Sequence, residues 1–251
     1  AELYGEPSLH ADIEIICMML ETLKVAGIQG ITLDLGHVGI YRRLLSASGL
    51  AGDAADTVFD ALQRKSLPDL ELALAAVEDA DCRAQIMQLA TLHGDASVLE
   101  SADWAGEEVA ELKRVALSVQ AHYPEIDIYY DLSELRGYHY HTGLVFAAYV
   151  ADHGRALANG GRYNDVGEVF GRARPATGFS ADLKTLLALL PDSEAATAIS
   201  APAEADPALW QAVAELRAAG EVVITSLTGE QDPRCERQLV QDDGEWTVKA
   251  R

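Results

Sequence analysis

One stretch of nine residues holds the densest group of side chains able to bind a small polar ligand. Arg136 is followed by Tyr138, His139, Tyr140 and His141. Arginine offers a fork of N–H donors to a carboxylate, and tyrosine and histidine can hydrogen-bond to a polar ring. In an extended chain Arg136, Tyr138 and Tyr140 would share one face, with the two histidines on the other. The stretch predicts a site for a small zwitterion or, alternatively, a sheet surface with aromatic cross-strand pairs.

A second candidate follows about twenty residues later, where Gly160 and Gly161 precede Arg162 and Tyr163. Paired glycines let a ligand approach the backbone closely, and the adjacent arginine suits an anion. A bulge or a turn explains the glycines equally well.

Two further segments are candidates. Glu2 is predicted to be a buried strand glutamate, whose carboxylate would meet an ammonium group. Residues 175–184 pass from a strand or turn into a helix, whose N-terminus would suit an anion. This last signal is weak alone, because most helices begin near a glycine or a serine.

Periodicity predicts the elements that position these residues. Apolar residues at helical spacing predict helices, and apolar–polar alternation predicts strands. The predicted helices span 10–26, 38–48, 178–190 and 206–219. The predicted strands span 28–36, 126–132, 143–150, 156–161 and 221–226, with a linker and one strand at 193–207 and a hairpin across Asp243-Gly244.

The order of these elements predicts an α+β fold. Residues 51–121 are rich in Ala, Leu, Glu and Asp, read as helical throughout and look like an insertion. They interrupt a core at 1–50 and 122–192, where strands joined by short turns predict an antiparallel sheet flanked by helices. Residues 193–251 are predicted to form a short C-terminal α/β domain.

Charge and cysteine content exclude several function classes. The net charge is -21, with 19 Lys+Arg against 40 Asp+Glu, and the basic residues form no stripe, so nucleic acid is not an expected partner. No apolar run reaches the roughly 18 residues that span a bilayer. The 3 cysteines lack metal-ligand or disulfide spacing, so neither a metal nor a cofactor is expected, and a reducing cytoplasm is the expected location.

Four motifs in order resemble those of histidyl-tRNA synthetases, a class II synthetase family. RGYHYHTGLVF is similar to the histidine-binding motif RGLDYYTGTVF, and NGGRYNDV to AGGRYDGL. FGRARPATGFSADLKTL resembles the motif 3 region GGRPTPAVGFAIGLERL. ELYGEPSLHADIEII resembles GCEVFGSDSPLADAEVI, which follows motif 2. The resemblance covers about residues 1–190 and implies that motifs 1 and 2 precede residue 1.

Departures from the family pattern bear on activity. Thr185 stands where motif 3 has an arginine that contacts ATP, Lys184 replaces the preceding glutamate, and Asp182 replaces a glycine. Threonine has neither the charge nor the plane of a guanidinium. In the first motif His139 replaces an aspartate and His141 a tyrosine. Together with the short C-terminal tail, these changes indicate that ATP activation and tRNA charging are lost.

The retained and lost residues together resemble the regulatory subunits of ATP phosphoribosyltransferase. That resemblance implies a non-catalytic subunit in the first step of histidine biosynthesis. It would pair with a short-form catalytic subunit, take part in histidine feedback inhibition and form a homodimer within a hetero-oligomer. The alternatives are a divergent synthetase-like enzyme and an amino-acid sensor module.

The resemblance also implies a pocket for a histidine-like ligand, with histidine acting either in this pocket or at the interface with the partner. Glu2 would bind the α-amino group, and Arg136 the carboxylate or nearby backbone. The residues expected to complete the pocket are Tyr138, Tyr140, His141, Gly160, Gly161, Arg162 and Tyr163.

Overall fold

The computed structural model describes residues 1–151, 153–190, 197–227 and 232–251. The chain divides into two compact units, residues 1–190 and 191–251. The predicted boundary near residue 192 and the first part of the predicted linker, 193–196, lie outside the described residues. Among those described, no helix is long and apolar enough to cross a membrane.

The first unit is built on a seven-stranded sheet with the order β1-β7-β6-β5-β2-β4-β3. All neighbouring strands are antiparallel except β2 and β4, which run parallel. The strands are β1 (Glu2–Tyr4), β2 (Ile31–His37), β3 (His93–Gly94), β4 (Asp127–Asp131), β5 (Leu144–Val150), β6 (Ala158–Arg162) and β7 (Ala176–Ala181).

The parallel β2–β4 pair departs from the predicted antiparallel arrangement, which the other neighbouring strands of this sheet follow. Between β2 and β4 the chain runs through the whole helical block before it returns beside β2. A long crossover of this kind is what a parallel pair requires, whereas antiparallel neighbours are joined by short turns.

The described part of the first unit contains eight α-helices, and the predicted helices near residues 10–26 and 38–48 are confirmed. They are α1 (Leu9–Val25), α2 (Val38–Ser48), α3 (Asp53–Gln63), α4 (Leu67–Ala73), α5 (Ala80–Leu89), α6 (Ser97–Ser101), α7 (Glu107–His122) and α8 (Leu183–Leu189). The block at 51–121 is not helical throughout, since β3 lies within it and pairs with β4. That this block is an insertion stays a prediction.

The predicted helix at 178–190 is wrong in its first third. Residues Gly178 to Ala181 belong to β7, which lies between β6 and β1 and hydrogen-bonds to both. Helix α8 begins only at Leu183, after Asp182 accepts a hydrogen bond from the Thr185 backbone N–H as N-cap. The apolar residues before Asp182 therefore match helical spacing by coincidence, and pairing partners on both sides decide the structure.

The two faces of the sheet have different roles. In β2, Leu33 and Leu35 are fully buried in the main core with α1 and α7, while Asp34 and Gly36 point to the other face. That second face carries the site described below.

The second unit has its own sheet with the order β11-β10-β8-β9 and a small separate core. Its predicted helix, strands and hairpin are confirmed. Asp243 and Gly244 have φ of 48° and 87°, as a two-residue hairpin turn requires. The elements are β8 (Ala198–Pro202), α9 (Pro207–Ala218), β9 (Val223–Ser226), β10 (Cys235–Asp242) and β11 (Glu245–Ala250).

Candidate functional site

The floor of the candidate site is made by two rows of residues that lie opposite one another across the sheet. The first row is mostly polar and consists of Asp34, Ala147, Asn159 and Ser180. The second row has mostly small residues and consists of Gly36, Val145, Gly161, Gly178 and Glu2. Residues paired in register project to the same face of the sheet. The two acids at the ends of the floor, Glu2 and Asp34, therefore lie on the same face. Two adjoining cavities open there, and both are lined by His141, Asn159 and Gly160.

The first cavity, called here the Glu2 cavity, has a volume of about 270 Å³. Its acid is Glu2, which is exposed in β1 and not buried as predicted. Glu2 accepts hydrogen bonds from the Tyr163 hydroxyl at 2.6 Å and the Tyr4 hydroxyl at 3.0 Å. The bond from Tyr163 is the main cause that lowers the pKa of Glu2. The cavity therefore presents an ionised carboxylate, suited to an ammonium group.

Glycines give the site its room. A Cβ on Gly178 would lie 3.1 Å from the Tyr163 hydroxyl and 2.6 Å from the Ala1 carbonyl oxygen. A Cβ on Gly161 would lie 2.8 Å from His141 Nδ1, and 2.6 Å from the Leu144 carbonyl oxygen. Gly161 was predicted to let a ligand approach the backbone closely, but in the structure the His141 ring occupies that space.

The second cavity, called here the Asp34 cavity, has a volume of about 160 Å³ and is lined by Asp34, Glu134 and Arg136. Arg136 donates to the Tyr149 hydroxyl at 3.0 Å and to Glu134 at 3.1 Å. Burial raises the pKa of Asp34 to about 7, and the negative charges of Asp131 and Glu134 add to the rise. Its buried Oδ1 has no hydrogen-bond partner among the described residues.

The stretch from Arg136 to Tyr140 forms turns, which corrects the expectation of an extended segment with alternating faces. Gly137 has a φ of 68°, and its carbonyl oxygen accepts from the backbone N–H groups of Tyr140 and His141. The Arg42 guanidinium on α2 holds the stretch from outside by donating to the carbonyl oxygens of Tyr138 and His141 at 2.8 and 2.7 Å.

The turn separates residues that were predicted to share a face. Tyr140 and His141 reach the Glu2 cavity, and Arg136 and His141 reach the Asp34 cavity. Tyr138 reaches neither, because its ring packs against Tyr41 and Phe59 with centroids 5.3 Å away in each case. Tyr138 therefore anchors the turn to the helical block, and its expected place in the pocket is corrected.

Arg162 also lies outside both cavities. It is one residue beyond Gly161 in β6, so its side chain projects to the opposite face of the sheet. There it forms a buried ion pair with Asp12 of α1 through Nε at 2.9 Å and Nη2 at 2.8 Å. Further N–H groups of Arg162 donate to the carbonyl oxygens of Glu6 and Ser8. Its donors join α1 to the sheet, which corrects the expectation that it binds a ligand.

Several site residues were missed from the sequence. Asp34 lies in the predicted strand 28–36 and Arg42 in the predicted helix 38–48, and neither was predicted to belong to the site. Asn159 and Ser180 lie within segments that had been singled out, but without a role. The pairing register, which brings Asp34, Asn159 and Ser180 into one row through Ala147, identifies these three residues. Arg42 is identified by its hydrogen bonds to the turn.

Two family models match the chain. One described as Histidyl-tRNA synthetase covers residues 1–186, and one described as ATP phosphoribosyltransferase subunit HisZ C-terminal domain covers residues 196–249. An ATP phosphoribosyltransferase regulatory subunit from Thioalkalivibrio sulfidiphilus is 51% identical over 99% of this chain and 67% of its own length. The chain belongs to the ATP phosphoribosyltransferase regulatory subunit family. It spans about two thirds of the length of the curated family members it matches.

Solved structures agree with the synthetase-like fold. A structure described as an ATP phosphoribosyltransferase regulatory subunit/histidyl-tRNA synthetase from Bacillus halodurans matches with a TM-score of 0.75 and 25% identity, over 92% of this chain and 63% of that one. The ATP phosphoribosyl transferase (HisG:HisZ) complex from Thermotoga maritima matches with a TM-score of 0.59 and 20% identity, over 72% and 63%. The synthetase-like fold predicted for this regulatory subunit family member is confirmed.

Proposed function

We propose that the natural gene product carrying this sequence is a non-catalytic subunit that supports a short catalytic chain of ATP phosphoribosyltransferase and conveys histidine feedback to it. The observation that carries the proposal is the presence of two matched regions on one chain. A match to Histidyl-tRNA synthetase over residues 1–186 is followed by a match to the C-terminal domain of ATP phosphoribosyltransferase subunit HisZ over residues 196–249.

Loss of aminoacylation is part of this proposal. Thr185 on α8 stands where the motif 3 resemblance has the ATP-contacting arginine, and threonine offers a nucleotide no positive charge. Asp182 adds a carboxylate at the start of the same helix, where a phosphate would otherwise be favoured.

The partners are also part of the proposal. The Thermotoga maritima structure is described as a complex of HisG with HisZ. By analogy this subunit assembles as a homodimer with a short-form catalytic subunit in a hetero-oligomer. A cytoplasmic location goes with this biosynthetic role and stays a prediction.

The ligand is an amino acid of the histidine type, bound across the two adjoining cavities. Glu2 faces the α-ammonium group, because its carboxylate is held ionised by Tyr163. Arg136 supplies positive charge for the carboxylate, and Tyr140 and His141 form the wall. Binding here would regulate the partner through a coupling free energy of about 1–3 kcal/mol.

Reconstitution separates this function from its rivals. The natural gene product, added to the short catalytic chain, is expected to raise the rate of phosphoribosyl transfer and to give no histidine-dependent exchange of pyrophosphate into ATP. Exchange by the protein alone would instead establish the divergent synthetase-like enzyme. No effect on the catalytic chain, with histidine still bound, would favour the sensor module.

Glu2→Gln tests the ligand within the reconstituted complex. The variant removes the charge opposite the ammonium group, so the histidine concentration for half-inhibition should rise at least about tenfold, equal to roughly 1.4 kcal/mol. Glu14→Gln, an exposed change on α1, is the control. Equal inhibition of both variants would remove Glu2 from the site.

A further inference from the structure

The outer edge of β11 has backbone groups that no described strand pairs. β11 lies at one end of the sheet of the second unit, next to β10. Arg251, which follows it, donates its backbone N–H to the Glu236 carbonyl oxygen of β10. Because backbone groups alternate in direction along an antiparallel strand, those of Trp246, Val248 and Ala250 point away from β10. An edge of this kind is a template for a further strand.

The hairpin of β10 and β11 places two acids directly opposite one another, Asp242 and Glu245. Like charges in this position are unfavourable. Asp242 accepts a hydrogen bond from the Lys249 ammonium group, whereas Glu245 has no cation among the described residues. A cation that a neighbouring strand brings to Glu245 relieves this repulsion.

A second copy of β11 supplies that cation in one antiparallel register. With Thr247 opposite Thr247, Glu245 of each copy lies opposite Lys249 of the other. The outward N–H and C=O groups of Trp246 then face those of Val248, so these two residues exchange backbone hydrogen bonds. Opposite charges, facing threonines and an aromatic residue beside a β-branched one all stabilise paired strands.

Charged residues on an edge strand commonly prevent pairing with other chains. Glu245 and Lys249 differ from that pattern, because they have opposite signs and lie two residues on either side of Thr247. They repel a strand in most registers and attract a second copy of β11 in this one. The arrangement therefore selects the same strand of another copy as the partner.

We propose that two copies of this chain pair through their β11 strands, with Thr247 at the centre of the contact. The inference rests on the homodimer of the proposed function and adds to it a surface in the second unit. A single strand pair is small beside a stable interface, which buries about 1,200–2,000 Å². The β11 contact therefore acts together with other contacts of the homodimer, and its test must report on the strand itself.

Disulfide cross-linking of the natural gene product is that test. Thr247→Cys places two thiols across a pair whose Cα atoms are about 4.5 Å apart, within the range for a disulfide. Gln241→Cys, on an exposed position of the neighbouring strand β10, is the matched control. Under mild oxidation, Thr247→Cys should link at least about five times as many chains as the control, since only its thiols are within reach.

Exchange of the two charges tests the register. In the Thr247→Cys background, Glu245→Lys puts lysine opposite Lys249 and should lower cross-linking at least about threefold. Glu245→Lys also gives Asp242 a cation across the hairpin, so a weakened hairpin does not explain this loss. Addition of Lys249→Glu restores opposite charges and should restore cross-linking.

Two results would overturn the inference: cross-linking of Thr247→Cys no greater than that of the control, or equal cross-linking in all the charge variants. Either result would leave the proposed function standing, because activation of the catalytic chain is measured separately.

Discussion

At the scale of single residues, the buried ion pair between Asp12 and Arg162 is expected to be the most sensitive contact in the first unit. Asp12 and Arg162 are 1% and 7% exposed. Removal of the acid in Asp12→Ala leaves a buried guanidinium without its counter-charge, which costs about 3–5 kcal/mol. Urea unfolding followed by circular dichroism measures this loss.

The matched comparison is an ion pair on the surface. Arg114 and Glu107 meet at 2.7 Å, but their side chains are 53% and 71% exposed. Glu107→Ala should therefore change the stability by no more than about 1 kcal/mol. Similar losses in both variants would mean that Asp12 and Arg162 do not form the buried link described here.

Asp34 predicts a pH dependence of stability. Its raised pKa, about 7, means that the folded chain keeps a proton which the unfolded chain loses near its ordinary carboxyl pKa. The folded state binds more protons between about pH 4 and pH 7, so this residue lowers stability as the pH rises through that range. Asp131 and Glu134 favour the proton, while Arg136 and Lys65 oppose it.

Asp34→Asn should remove this dependence. Between pH 4 and pH 8, the free energy of unfolding of the variant should rise by up to about 4 kcal/mol relative to that of the wild type. This is the energy that corresponds to a shift of about three pKa units. Denaturant unfolding of both proteins at several pH values measures the difference between their free energies of unfolding. The contributions of all other titrating groups cancel in that difference. A gap that is independent of pH would show that Asp34 titrates normally.

At the scale of elements, the turn that follows Arg136 depends on helix α2 for its position. The Arg42 guanidinium donates to two carbonyl oxygens of that turn, and such charge-assisted bonds contribute about 1.5–3 kcal/mol each. Arg42→Met should lower the hydrogen-exchange protection of the Tyr140 and His141 amides. Arg43→Met, which removes an exposed ion pair from the same helix, should leave them protected. Equal protection in both variants would mean that Arg42 does not hold the turn in place.

Helices and strands were predictable from the sequence where local periodicity and turn or cap residues favour the same structure as the tertiary contacts. Helix α2 was predicted at its observed bounds, and the turn at Asp243 and Gly244 joins the hairpin as expected. Prediction failed at Gly178 to Ala181, where strand partners distant in sequence outweigh local helical spacing. Local patterns carry no information about such partners.

The candidate site was predictable only as a set of segments. The motif resemblance selected Glu2, Tyr140, His141, Gly160 and Tyr163, all of which line one cavity. It also selected Arg162 and Tyr138, whose side chains lie outside both cavities and contact other parts of the fold. A one-residue step along a strand, or a turn in place of a strand, moves a side chain to another face. The sequence alone does not resolve that step.

At the scale of the whole molecule, the charge argues against tRNA as a partner. Its net charge is -21, and at least ten of its 19 Lys and Arg side chains are in ion pairs with its own carboxylates. Affinity for a phosphate backbone comes largely from cations that neutralise phosphates and release counterions. Cations already paired within the chain contribute little to it.

The natural gene product should therefore not retain tRNA at physiological salt. In a gel-shift titration with histidine tRNA at about 0.15 M salt, a histidyl-tRNA synthetase from the same cell is the positive control, and this protein should give no shift at micromolar concentration. Lower salt should reveal at most weak binding without preference for that tRNA. A specific shift at physiological salt would mean that surfaces beyond the described residues supply a basic patch, and it would return the synthetase-like alternative to consideration.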